Sequence, residues 1–149
     1  MNFQHKTLIR LSGAIWLIMG IFLMRKGILF LMSALREPND YLLSTLKGWL
    51  GTAENGVLML IVLALAIGWM KGKTALKRSA LRVINRIQSL PNPLELHRIY
   101  PWPFYLVVGC MMGLSVSMTT FGVPSDIRGT VLTTVGTALI HGSIFYFKA

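Results

Sequence analysis

The chain has 149 residues, 54% hydrophobic and only 13% charged, with a mean hydropathy of +0.60, which leaves too little polar surface to clothe a soluble globule and points to an all-α integral membrane protein. Fifteen Lys and Arg against five Asp and Glu give a net charge of +10, but the cations gather between apolar runs, where cytoplasmic loops are enriched in Lys and Arg without any nucleic-acid partner. Cys110 is the only cysteine, which excludes an internal disulfide and a Cys-rich metal site.

The length allows a single membrane domain, residues 1–149, with four transmembrane helices at approximately 8–35, 53–70, 104–121 and 128–147. Residues 8–35 form a retained first helix, since no small-residue cleavage site follows the basic start. At 28 residues it would be about 42 Å long against a hydrocarbon core of about 30 Å. Arg25 and Lys26 interrupt it. Two readings stay open: one long tilted helix, or a helix ending near Met24 with Gly27 to Leu35 along the outer interface. Gly13, Gly20 and Gly27 recur every seven residues, a bare stripe suited to close helix packing.

ArgGluProAsnAsp at 36–40 reads as a turn, Tyr41 to Leu50 as a short amphipathic piece, and Ala53 to Met70 as the second crossing. Thr52 is the expected N-cap of that crossing, with Glu54 in its first turn as a dipole partner or a rim residue. Residues 71–90 are both basic and periodically apolar. Leu76, Ala80, Val83, Ile84, Ile87 and Leu90 share one side of a helix, and Lys71, Lys77, Arg78, Arg82 and Arg86 stand outside that stripe. Between two apolar crossings, this pattern predicts an amphipathic interfacial helix lying on the membrane surface, its cations facing anionic headgroups or a partner protein. A charged helix packed on its own protein is the alternative. Met24 with Met70, and SerAlaLeuArg at 33–36 with the same run at 79–82, hint at an internal repeat of opposed direction.

Residues 89–103 hold four prolines and read as a structured linker, and Tyr100, Trp102 and Tyr105 fit an interfacial aromatic belt before the third crossing. Gly109, Gly113, Ser117 and Thr120 give that crossing a small-residue ridge for helix packing. Asp126 and Arg128 open the fourth crossing, as cap and local partner or as charges at a rim. Along it Thr130, Thr134, Thr137 and His141 keep to one face, a polar stripe through most of the membrane. Threonines bond back to their own helix readily, whereas a histidine at that depth points to a pathway or a proton exchange.

The excess of cations before the first crossing, between the second and third, and after the fourth predicts both termini in the cytoplasm, and for a bacterial protein the membrane would be the cytoplasmic (inner) one. His5, His97 and His141 lack ligand spacing, so no metal and no cofactor is expected. Catalytic motifs are absent; the only enzymatic reading is a lipid-acting cluster of Glu95, His97 and Arg98 at the cytoplasmic interface. Two functions stand. One is a transporter or channel protomer in a homo-oligomer, lined by the segment-four stripe, and the stripe favours it. The other is a non-catalytic membrane subunit or assembly factor that binds a membrane-protein partner through the basic helix or the Gly faces.

Overall fold

A computed structural model describes residues 3–36, 41–89, 109, 112, 113 and 115–148. Among the described residues there are only helices and turns. The elements are α1 (Phe3–Ala34), α2 (Tyr41–Leu50), α3 (Ala53–Lys71), a π-helical turn (Gly72–Leu76), α4 (Lys77–Ser89) and α5 (Ser125–Lys148). Among the described residues, three helical stretches are long and apolar enough to cross a membrane: His5–Ala34, Ala53–Ser89 and Ser125–Lys148. Of the expected third crossing, 104–121, residues 109, 112, 113 and 115–120 are helical, whereas 104–108, 110, 111 and 114 lie outside the described residues, as does the Glu37–Asp40 part of the first turn.

The molecule is assembled around α5. In its apolar window 44% of residues are buried, against 22% for α1 and 28% for α3 with its continuation, so the last helix is the one the others wrap. Glycine makes this approach possible. Gly13 sits against Tyr146, Gly20 against Gly136 and Ile140, and Gly27 against Gly129 and Thr133, so α1 and α5 run antiparallel. The contact is backbone on backbone: a Cβ at Gly20 would lie 2.8 Å from the Gly136 carbonyl oxygen, and one at Gly136 would lie 2.7 Å from that of Gly20. The seven-residue spacing is therefore repeated on both partners, as Gly13, Gly20, Gly27 and as Gly129, Gly136, Ser143. On the other side of α5, Gly68 and Gly72 meet Thr134, Thr137, Ala138 and His141, which sets α3 parallel to α5. Because these two are parallel, Ser89 and Ser125 stand at opposite ends of the bundle.

Of the two readings left open for the first helix, the structure has the long one: α1 continues through Arg25 and Lys26 to Ala34, both cations exposed. Residues 71–89 are not detached from the second crossing. They continue α3 through the π turn as one helical stretch, Ala53–Ser89, about 55 Å long at 1.5 Å per residue. The apolar stripe is the reason: Ala80, Val83, Ile84 and Ile87 are buried with Ile9, Trp16, Leu139 and Tyr146 in one cluster. Each such side chain contributes roughly 1.5–3 kcal/mol on leaving water. A second cluster at the opposite end joins Leu31, Ala34, Leu43, Val57 and Leu60, so that α2 folds back on α1 and α3. The repeated SerAlaLeuArg runs fall at opposite ends of the bundle, one closing α1 and one inside α4, and Ala34 and Ala80 are each fully buried.

Candidate functional site

The polar stripe of α5 is bonded along its own helix. Thr130 Oγ1 donates to the Asp126 carbonyl at 2.7 Å, Thr134 to Thr130 at 2.8 Å and Thr137 to Thr133 at 2.8 Å. Thr133, one position off the stripe, donates to Gly129 at 2.8 Å. This is the back-bonding that threonine favours in an apolar helix, where the next carbonyl is the nearest acceptor. Thr137 is 5% exposed, and Gly68 of α3 lies over it: a Cβ there would stand 2.7 Å from the Thr137 Cβ. The middle of the stripe is a packed seam between α3 and α5.

His141 closes the seam. Its Nδ1 lies 3.0 Å from the Thr137 carbonyl oxygen, and since a carbonyl only accepts, Nδ1 is the donor in this contact. Gly72, the first residue of the π turn, faces it so closely that a Cβ would stand 2.8 Å from the His141 Cβ. The Trp69 ring meets the imidazole edge-on at 6.5 Å between centroids, and the Lys73 ammonium lies 5.4 Å from the same indole. Around the turn, Thr74 donates to the Met70 carbonyl at 2.9 Å. Trp69, Gly72 and Lys73 are parts of this cluster that sequence reasoning did not assign to it; the signal was GlyTrpMetLysGly at 68–72, small residues bracketing an indole at one-turn spacing.

At the far end Asp126 is fully buried. Its Oδ2 accepts from the backbone N–H of Leu42 at 2.7 Å and Leu43 at 3.2 Å, and its Oδ1 from Ile127 N–H at 2.7 Å. One carboxylate thus serves the positive ends of two helices, α2 and α5. Arg128 turns away, its guanidinium 4.4 Å above the Phe30 ring with one nitrogen donating to Thr119 at 3.0 Å. Glu54 is exposed in the first turn of α3, where Thr52 is the cap, accepting from Asn55 N–H at 3.4 Å.

Lys71, Lys77, Arg78, Arg82 and Arg86 are exposed along the outer side of the continued helix. Gly13, Gly20 and Gly27 lie in the α1–α5 contact, whereas a Cβ at Gly109 or Gly113 would meet nothing within 4 Å. Glu95, His97, Arg98 and Cys110 lie outside the described residues. Among the described residues no three His, Cys, Asp or Glu side chains gather as metal ligands would. Comparisons with protein families, curated proteins and solved structures find no match.

Proposed function

We propose that this protein is a non-catalytic helical membrane subunit that engages another membrane protein through its outer helix faces. The observation that carries this reading is the state of the α5 stripe. Thr134 and Thr137 give their hydroxyl protons to their own backbone, and glycines of α3 lie directly on that part of the helix. A conduit needs polar groups turned toward water, and these are turned toward a neighbouring helix. In contrast, α1 and α3 present Leu11, Ile18, Phe22, Leu58, Val62 and Leu63 outward, a lateral surface suited to lipid or to another helix. Both termini are cytoplasmic in this reading, with the basic end of the bundle inside.

A photo-reactive residue placed at Ile18 or Val62 in native membranes tests it. The expected result is a discrete protein adduct at one or both positions. Adducts with lipid alone at both would overturn the reading. A second reading, transport by a homo-oligomer, is favoured by one observation: His141 is half-buried beside a π turn, a distortion frequent at functional sites. Under that reading His141→Leu abolishes flux in reconstituted vesicles while the protein still folds.

A further inference from the structure

The start of α1 and the end of α5 meet across a cavity of about 170 Å³ lined by Lys6, Ile9, Arg10, Tyr146, Phe147 and Lys148. Beneath it Ile9 and Tyr146 are 1% and 0% exposed, the Tyr146 ring packed on Trp16 at 5.3 Å between centroids, so the base is held in place and the exposed Phe147 ring supplies the apolar wall. Its rim carries three cations from two helices, all exposed. None of the three is in an ion pair among the described residues. The described carboxylates, Glu54 and Asp126, stand in the first turns of α3 and α5, at the opposite end of the bundle.

Helix ends do not alter this balance, because α1 begins where α5 finishes and the partial charges of the two termini offset each other. The side chains therefore set the sign. Three cations around one cavity repel one another unless an anion sits among them. A guanidinium beside two ammonium groups matches the oxygens of a phosphate, through one forked donor and two point charges. The exposed Phe147 ring adds a second requirement, since a bare anion gains nothing from it, whereas a molecule with a phosphate at one end and methylenes at the other meets both the cations and the ring. We propose that this cavity is a binding site for a phosphate group, in the form presented by the headgroup of an anionic lipid. The outer cations of α4, Lys77, Arg78, Arg82 and Arg86, do not line it.

Native mass spectrometry of the full chain, titrated with phosphatidylglycerol and in parallel with phosphatidylcholine and inorganic phosphate, tests the assignment. Lys6→Gln/Arg10→Gln/Lys148→Gln is compared with Arg25→Gln/Lys26→Gln/Lys47→Gln, which removes the same number of charges away from the cavity. The expected result is at least about a tenfold loss of apparent phosphatidylglycerol affinity in the first variant and less than about twofold in the second. Phe147→Trp, which narrows the cavity and keeps every charge, should also weaken binding. Binding of phosphatidylglycerol alone identifies the lipid as the source, and binding of inorganic phosphate as well assigns the site to the phosphate group whatever carries it. Equal losses in the two triple variants, or unchanged affinity in Phe147→Trp, would overturn the proposal. Thermal unfolding of each variant separates lost binding from lost folding.

Discussion

Asp126 is the residue whose role depends most on distance along the chain, since its acceptors are used by Leu42 and Leu43, more than eighty positions away. Removing it leaves the first N–H groups of α2 buried without their acceptor. Asp126→Ala should therefore cost about 1–3 kcal/mol, as such orphaned donors do, and Asp126→Asn, which keeps one acceptor oxygen, should cost less. Thermal or denaturant unfolding in detergent would read the difference, and equal losses would mean that the carboxylate does not bridge the helices. The sequence placed an acidic group at the start of this helix, where its own dipole welcomes it. It held no sign of the second helix, because a cap donated across the fold leaves no spacing to read. The threonine stripe was legible in the same partial way: its face could be computed from the periodicity, but what that face meets depends on Gly68 and Gly72, which belong to another helix.

At the scale of elements, the α1–α5 seam rests on small residues at seven-residue intervals on both sides. Only the first of the two stripes was visible as a regular run of glycines, since the second is completed by Ser143. Gly20→Ile would drive a branched side chain into the Gly136 carbonyl and separate the helices, at roughly 1–3 kcal/mol for an overpacked contact. Gly109→Ala, where a Cβ meets nothing, is the matched control and should leave the melting temperature unchanged. The basic helix gives the complementary lesson. Its apolar stripe was correctly located by its period, but a stripe says only that something covers it. Here the cover is Ile9, Trp16 and Tyr146 of the same chain. Ile87→Ala should thus lower stability by about 2–5 kcal/mol, whereas Arg78→Gln and Arg82→Gln on the outer side should change it by less than about 0.5 kcal/mol. Comparable losses from both kinds of substitution would indicate that α4 is not held by its apolar face.

For the whole molecule, direction is the strongest constraint. Since α1 opposes α5 and α3 accompanies it, the start of α1, α4 and the end of α5 share the basic end, while α2 and the start of α5 share the other. Reporter tags at Met1, Asn92 and Ala149 should report one side of the membrane and a tag at Asn39 the other; agreement of all four would contradict the topology. The apolar bands of the helices do not coincide. Contacts of Gly27 and Gly68 with Thr133 and Thr134 bring Arg25 and Lys26 level with the apolar part of α3. Lys26 leans back along its own helix, its ammonium 5.3 Å from the Phe22 ring, a cation–π contact one turn away. This is the physical reason that the sequence left the end of α1 open: charge alone suggested a boundary, and only the packing of Gly27 against Gly129 and Thr133 carries the helix past it.

The central claim is that the polar face of α5 is packed against α3 and carries no water. The most direct measurement is the reactivity of Thr137→Cys toward a small water-soluble thiol reagent, in a Cys110→Ala background and in intact membranes. Thr137 is 5% exposed, so the thiol should stay unmodified until the protein is unfolded in denaturant and then react fully. Rapid modification in the folded protein, from either side of the membrane, would contradict the packed seam and restore the stripe as a hydrated path.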